Sequence, residues 1–564
     1  MIIGIDLGTT NSLVAVYRDK KVTVIPNALG QYMTPSAVGI DDKGQIIVGQ
    51  LARERLNTHP DETIASFKRY MGTDRLINLG SKLFRAEELS ALLLGCLKQD
   101  AEKFLGHSII EAIVTVPAYF NNSQRKATKV AAELAGLKVD RLLNEPTAAA
   151  LAYGLHKKNE QRYLIFDLGG GTFDVSIVEY FEGVLEVHAS AGDNYLGGND
   201  FTKLISAWML IKIREQLGMS VNEKPDKKLI EIIRDKADEA KHKLSKHNST
   251  EIKFNWEEKP ITLSFSEGEF AEICESLLDR IRNPIHRTLR DSNLELSDLD
   301  EIILVGGSSR MPLVRQLVTR LFQRFPNVEV DPDKVVVVGA AIQAALKQKH
   351  SDLKDTVLTD VCPYTLGIEV SEGSLDNLQE GYYLPIIERN ASIPNSIVKR
   401  VYSINNNQTQ IEVKIFQGES MLVKDNIFLG NLMANIPKGE AGEEAIDVRF
   451  SYDVNGLLEI DVEVVTTRTK YVTTIEQNPG VLTEQEIAES IRKLQDLKIH
   501  PRDDECNQVL IFRAERIYQE SLGEVREVIT NVISEFLTIL DRQDKQDIKH
   551  AREQFQQFLQ QFEV

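Results

Sequence analysis

This 564-residue chain has four cysteines, Cys96, Cys274, Cys362 and Cys506, scattered without metal-binding or redox spacing. That excludes a disulfide framework and reads as reduced, buried thiols. The ten histidines form no HExxH or other ligand pair, and His242 and His247 read as solvated neighbours on a helix rather than a metal pair. No apolar run is long enough to span a membrane. The chain opens MIIGID with no basic stretch before it, so no secretory signal is expected. Positive charge is in deficit. A net charge of −18 argues against nucleic acid or an anionic membrane as the main partner. The expectation is a cytoplasmic monomer.

What is present is ordinary for a globular protein, 42% hydrophobic and 27% charged. The length allows about two to four domains. The informative feature is a pair of turns. DLGTTNS (Asp6 to Ser12) follows the apolar run Ile2-Ile3-Gly4-Ile5, and DLGGGTFD (Asp167 to Asp174) follows Leu164-Ile165-Phe166. Glycines at strand ends let backbone N–H groups approach phosphate oxygens, and the Thr and Ser hydroxyls add donors. Aspartates would repel phosphate, so they imply a bridging Mg²⁺ held through water. Two ordinary Asp-Gly hairpin turns are the bland alternative. A second copy, again ending a buried-looking strand, disfavours it.

Residues 1 to 355 alternate strand-like and helix-like segments, an α/β signature. The design occurs twice. Each glycine turn is followed by a small-residue segment, Glu145 to Gly154 in the first half and Val338 to Leu346 in the second. Alanine and glycine runs allow two helices to approach closely at a seam between lobes, and a cleft between similar lobes suits a nucleotide. A third glycine turn, Gly306-Gly307-Ser308-Ser309-Arg310, ends the strand-like run from Ile302. The stretch Arg234 to Lys246 carries Asp238, Lys241 and Ser245, and a solvated helix face explains it equally well.

A polar stretch, Lys347 to Asp355, leads to a linker at 356–361. From 362 to 480 the pattern has period two. Ile411, Val413 and Ile415 alternate with polar residues, as do Ile446, Val448, Phe450 and Tyr452. An Asn455-Gly456 turn follows, then Leu458, Ile460, Val462 and Val464. This predicts a hairpin within an antiparallel β-sandwich. DVNG at Asp453 is not a Ca²⁺ loop, because Leu457 stands where an oxygen ligand is needed. Residues 481–564 read as helical. Thr483 with Glu486 makes a capping box and Pro501 a break. Val525, Val528, Ile529, Val532, Ile533, Phe536, Leu537 and Leu540 form one apolar face, and Ile548, Phe555, Phe558, Leu559 and Phe562 another. A self-packed bundle and a mobile cover over the β domain are both open readings.

The chain resembles the DnaK-type, seventy-kilodalton heat-shock chaperone family. The matching strings are IIGIDLGTTNS, TVPAYFNNSQRKAT (Thr115 to Thr128), NEPTAAALAYGL (Asn144 to Leu155), FDLGGGTFDVSI, LGGNDF (Leu196 to Phe201), ILVGGSSRMP (Ile303 to Pro312), TLGIE (Thr365 to Glu369) and FQGE (Phe416 to Glu419). The resemblance implies a multidomain chain: an actin-like, duplicated, two-lobed α/β ATPase domain, an antiparallel β-sandwich and a C-terminal helical lid. It implies ATP/ADP with Mg²⁺, and K⁺ beside the phosphates. Gly8, Thr9, Thr10, Gly169, Gly170 and Gly171 would cradle the phosphates. Lys68 and Thr172 would meet the γ-phosphate. Asp6 and Asp167 would hold the metal's water shell, and Glu145 and Asp174 would help arrange metal and nucleophile. Gly306, Gly307, Ser308, Arg310, Asp238, Lys241, Ser245 and Asp333 would bound the adenosine. Pro117 and Arg125 match a relay to the linker. Arg141, Asn144 and Asp360 match positions for linker docking and for stimulation by a J-domain cochaperone. Ile368, Val370, Ile411 and Val413 match a pocket for unfolded or extended polypeptide segments, although sandwich core explains each alone.

Some features depart from the family. The linker reads TVLTD rather than a continuous leucine run, Ser371 stands where methionine is common, and Asn405 to Asn407 make a polar arch. His242 replaces an arginine seen in some members. The chain is trimmed at Thr73 to Ala86 and between Asn248 and Thr262, and the second trim leaves a GrpE-type exchange factor doubtful. The sequence stops at Val564 without an EEVD ending. Together these features look most like the short bacterial HscC branch. A sugar or acetate kinase, a filament-forming actin relative and a passive holdase are the rivals. The first needs a substrate-binding lobe and a catalytic base that a β-sandwich and helical tail do not supply, the second does not need residues 362 to 564, and Lys68, Thr172 and both aspartates speak against the third.

Overall fold

Two sheets with the same wiring build the N-terminal region. In the first, Glu111–Val116 runs parallel to Ile2–Asp6, which pairs antiparallel with Asn11–Arg18, and that strand with Lys21–Ile25. In the second, Glu301–Val305 runs parallel to Gln161–Leu168, followed antiparallel by Phe173–Phe181 and Val184–Asp193. Each glycine turn therefore joins the first two strands of a meander at the same place in its sheet. The structure, a computed structural model, describes residues 1–42, 44–154, 160–181, 183–217, 227–256, 259–327, 331–350, 353, 357–374, 377–474, 505–521, 523–541 and 545–562.

The small-residue segments form the helices Glu145–Gly154 and Val335–Lys347, which pack on each other between the sheets. Gly339 is required there: a Cβ at that position would lie 1.9 Å from the Ala148 carbonyl oxygen. Close contact of this kind gives the seam a packed interior in which few adjustments are cheap. Each lobe also has its own apolar core, around Phe67, Phe84 and Phe120 in the first and Phe201, Phe265 and Phe270 in the second.

The strand Val357–Val361 continues the second sheet, with Val357 to Thr359 opposite Val184 to Glu186. Its last residues, Asp360 and Val361, pair with Ile393 and Ser392 of the next region. That region is two four-stranded antiparallel sheets over a shared core of Leu366, Ile368, Val413, Ile415, Phe450 and Ile460. The Asn455-Gly456 hairpin joins Ala445–Tyr452 to Leu458–Val464.

Three helices follow, Glu505–Glu520, Glu524–Asp541 and Lys545–Gln560, burying Leu510, Ala514, Ile529, Phe536, Phe555 and Leu559 on one another. Val528, expected on the apolar face, is 46% exposed instead. It sits on the edge of a stripe whose centre is Ile529 and Phe536. The capping box at Thr483 and the break at Pro501 lie outside the described residues. The first of these helices packs on Gln50–Arg55 of the first lobe, where Val509 joins Leu51 and Ala52.

Candidate functional site

The two glycine turns face each other across a cleft of about 680 Å³. Asp6, Gly8, Thr9, Thr10, Lys68 and Glu145 line one side, and Asp167, Gly169, Gly170, Thr172, Gly306, Gly307, Ser308, Arg310 and Asp333 the other, with Asp238, Lys241 and Ser245 at its far end. Of the residues expected in this cleft, Gly171 and Asp174 are not in its wall. Gly171 packs under Thr9, and Asp174 is buried behind the loop, accepting a hydrogen bond from Tyr119 N at 2.9 Å. Gly198 and Asn199 also line the cleft. Both belong to the LGGNDF string, whose residues alone do not signal a place in the cleft.

The glycines are needed for approach. A Cβ at Gly170 would lie 1.9 Å from Thr10 Oγ1, and one at Gly306, whose φ is +77°, would lie 2.4 Å from the Leu168 carbonyl oxygen. Thr10 Oγ1 itself is buried and without a hydrogen-bond partner among the described residues. A buried hydroxyl in that condition is costly unless a ligand completes it.

The charge balance points the same way. Lys68, 4% exposed, donates to Glu145 Oε1 at 3.0 Å. Around this one ammonium stand Asp6, Asp167, Asp174 and Glu145. Burial, then the Glu145 charge, raises Asp6 to about 7, with Lys68 opposing. Burial, then Glu145 and Asp174, holds Asp167 well above the carboxylate range. Burial, then Glu145, raises Asp174 to about 8. An excess of buried carboxylates beside phosphate-sized glycine loops is a donor set for a hard divalent cation and the polyphosphate it bridges. The residues therefore fit Mg²⁺-nucleotide.

At the far end, Lys241 Nζ donates to Asp238 Oδ1 at 2.6 Å and Thr202 Oγ1 at 2.8 Å. Burial alone would raise Asp238, but hydrogen bonding to His242 and the charge of Lys241 hold it far below the usual range. Arg310 bonds Asp331 at 2.9 Å and Asp333 at 2.8 Å. Lobe-to-lobe bonds frame the cleft: Arg69 donates to Gly171 O at 3.0 Å, and Asn199 to Ser66 Oγ at 2.8 Å.

Behind the cleft, Pro117 is buried, and Arg125 donates to Phe120 O, Ala118 O and Asn144 Oδ1 at 3.0, 3.0 and 2.8 Å. It also reaches Asn455 O of the β-sandwich at 3.4 Å, while Asn455 Oδ1 accepts from Leu142 N at 3.0 Å. In the sequence Asn455 is only a turn residue; an Asn-Gly turn carries no sign of a partner surface. Asp360 accepts from Thr147 Oγ1 at 2.9 Å. It also lies close enough to Arg141 to counter that guanidinium's burial. Arg389 forks onto Asp291 at 2.7 and 3.0 Å, a further contact between the regions that no motif signals.

A second cavity, about 720 Å³, opens in the β-sandwich. Ile368, Val370, Ile411 and Val413 line it, with Ser371, Tyr402 and Ile404. Ile368 and Val413 also belong to the core, so lining this cavity and packing the sandwich are compatible at these positions.

The model for "Hsp70 protein" matches residues 2–77 and 75–563. The chain is similar to "Chaperone protein DnaK" of Thermotoga neapolitana, 42% identical over 474 residues, covering 82% of this chain and 78% of that protein. It is likewise similar to "Chaperone protein DnaK" of Thermosipho melanesiensis, 41% identical over 514 residues, 89% of this chain and 84% of that protein.

Proposed function

The chain belongs to the Hsp70 family of ATP-dependent chaperones, which bind ATP or ADP with Mg²⁺ and hydrolyse ATP, and on that premise we propose how its parts divide the work. Residues 1–355 form the actin-like ATPase domain, 356–361 the linker, 362–480 the peptide-binding domain and 481–564 the lid. The observation that carries this reading is the linker strand. Val357–Val361 is hydrogen-bonded to the second lobe along one stretch and to the β-sandwich along the next. A strand shared by two domains is an element whose docking both can bias.

Thr9, Thr10, Thr172 and the glycine loops would hold the phosphates. Gly306, Gly307, Ser308, Arg310, Asp238, Lys241, Ser245 and Asp333 would hold the adenosine, and Asp6 and Asp167 would hold Mg²⁺ through water. When bound, ATP would supply the phosphoanhydride, and its Mg²⁺ the positive charge that balances the carboxylates. Lys68 then neutralises charge developing toward the γ-phosphate, and Glu145, its partner at 3.0 Å, fixes where the ammonium points. Glu145, in the cleft wall, and Asp174, behind it, would help arrange the metal and the nucleophile. K⁺ beside the phosphates is part of the same proposal.

Extended, apolar polypeptide segments would bind at Ile368, Val370, Ile411 and Val413, under a polar arch. A J-domain cochaperone would act through Arg141, Asn144 and Asp360. The lid helix Glu505–Glu520 packs against the strand Ser249–Trp256 of the trimmed hairpin, which supports the doubt about a GrpE-type exchange factor there. The trims favour the HscC-like branch, and we place the chain in the cytoplasm as a monomer. The test is stopped-flow release of a fluorescent apolar peptide from the full chain. ATP should speed release, and an off-rate unmoved by ATP overturns the coupling.

A further inference from the structure

We propose that Tyr364, the third residue after the linker strand, is a positioning residue for ATP hydrolysis, acting on Asp174 through Tyr119. This rests on the coupling and the Asp174 role proposed above.

Tyr119 is gripped from both sides. Its N–H donates to Asp174 Oδ1 at 2.9 Å. Its carbonyl accepts from the Tyr364 hydroxyl at 2.9 Å and from Asn194 Nδ2 at 2.8 Å. Its ring lies against the Tyr364 ring with centroids 4.3 Å apart. Its hydroxyl accepts from Arg287 Nη1 at 3.0 Å, and Arg287 also pairs with Glu419 of the β-sandwich at 3.4 Å. Two of these holds, the Tyr364 stack and hydroxyl, belong directly to the β-sandwich.

The corner is tightly packed. Asp174 is 1% exposed. A Cβ at Gly192 would lie 2.9 Å from Asp174 Oδ1 and 3.0 Å from Tyr119 Cβ. A packed interior of this kind transmits small displacements rather than absorbing them. Asp174 in turn feels Glu145 electrostatically, so its carboxyl belongs to the charge group around Lys68. When the sandwich leaves its docked place it takes Tyr364 with it. Tyr119 then loses an aromatic neighbour and a hydroxyl donor together, and its N–H is no longer held on Asp174. Buried hydrogen-bonded networks of this type are worth more intact than their separate parts. Arg125, which bonds Asn455, reaches the same corner without a hydrogen bond to Asp174: it holds Phe120 O and Ala118 O on either side of Tyr119, and its charge favours the Asp174 carboxylate.

The experiment uses the full chain with Tyr364→Phe, which keeps the ring and removes the donor, and Tyr364→Leu, which removes both. The first readout is hydrogen exchange of the Tyr119 amide without nucleotide. It should quicken several-fold in Tyr364→Phe and by about tenfold or more in Tyr364→Leu. The second is single-turnover ATP hydrolysis with and without saturating apolar peptide. Tyr364→Phe should lose at least half of the peptide-induced change in rate, and Tyr364→Leu nearly all of it, with peptide affinity in ADP unchanged. Tyr364→Phe alone carries the test should Tyr364→Leu fold poorly. Wild-type exchange at Tyr119 together with a wild-type peptide response in the variants overturns the role of Tyr364 and leaves the coupling standing. A wild-type chain whose hydrolysis ignores peptide overturns the coupling itself, and this proposal with it.

Discussion

Thr147 donates its hydroxyl to Asp360 Oδ2 at 2.9 Å, two residues after Glu145 receives Lys68 at 3.0 Å. One helix, Glu145–Gly154, therefore presents its first residue to the cleft and its third to the linker. A helix is stiff over so short a distance, so a change in how Glu145 is held alters how Thr147 meets Asp360. Replacing Asp360 by alanine removes the acceptor and leaves the pairing of Val357 to Thr359 intact. The expected result is nucleotide affinity within about twofold of wild type, with ATP-driven peptide release slowed several-fold, as for one hydrogen bond to a charged group. Stopped-flow release and nucleotide titration on the same sample separate the two effects. Equal release rates in variant and wild type exclude the linker contact as a coupling element.

Lys68→Ala should lower turnover by about a hundredfold to a thousandfold while nucleotide still binds. Lys68 lies in a short helical turn, Phe67–Tyr70, and its ammonium also stands 5.4 Å from the Phe120 ring centroid. Truncation leaves Glu145 as one more unbalanced buried carboxylate, so the empty variant should also be less stable than wild type. Single-turnover hydrolysis and equilibrium binding check both parts. Normal hydrolysis would remove Lys68 from the mechanism.

The cleft was legible because its parts are local strings: a strand, a glycine turn and hydroxyls within a few residues, repeated. Asp6, Thr9, Thr10, Asp167 and Thr172 are each fixed by the strand they end. The hairpin at Asn455-Gly456 was legible for the same reason. The surfaces between domains were not. Asn455, Arg389, Asp291 and Tyr364 meet partners from 98 to 330 residues away in sequence (Arg389 with Asp291 at one end, Arg125 with Asn455 at the other), and nothing in their own neighbours marks them. Asp174 shows the limit within a motif. Its string placed it near the phosphates, but strand alternation points it behind the loop, toward Tyr119.

Glu54, 3% exposed, pairs with Arg513 Nε at 3.0 Å and Arg516 Nη1 at 2.9 Å on the first of the C-terminal helices, while Phe512 lies over Arg55 with its ring centroid 5.0 Å away. These contacts hold that helix against the first lobe, and none of its described residues lines the β-sandwich cavity. Glu54→Gln keeps the shape and removes the charge. It should weaken the docked arrangement by about 1–3 kcal/mol, less than a fully buried pair because both arginines keep some water. A fluorophore pair on the first lobe and on Glu524–Asp541 would report a larger undocked fraction in ATP. An unchanged transfer efficiency would show that the apolar contact at Val509 suffices.

Glu87 gives a pH dependence independent of the nucleotide. It is fully buried in the first turn of Ala86–Leu105; one oxygen accepts from Gly72 N at 3.3 Å and the other has no hydrogen-bond partner among the described residues. Burial raises its carboxyl from 4.5 to about 7, against the two backbone donors and Arg85. The folded chain therefore holds this proton more tightly than the unfolded chain does. Between pH 4.5 and about 7 the unfolded state loses the proton first, so stability from this group falls as pH rises and levels off above 7. Glu87→Gln mimics the protonated form at every pH. The variant should match wild type near pH 5 and exceed it by about 1–3 kcal/mol at pH 8, read from the first denaturant transition of the nucleotide-free chain. A stability gap of the same size at both pH values would mean that the carboxyl is ionised in the fold throughout, and that Gly72, which follows the turn bearing Lys68, is anchored by a charge.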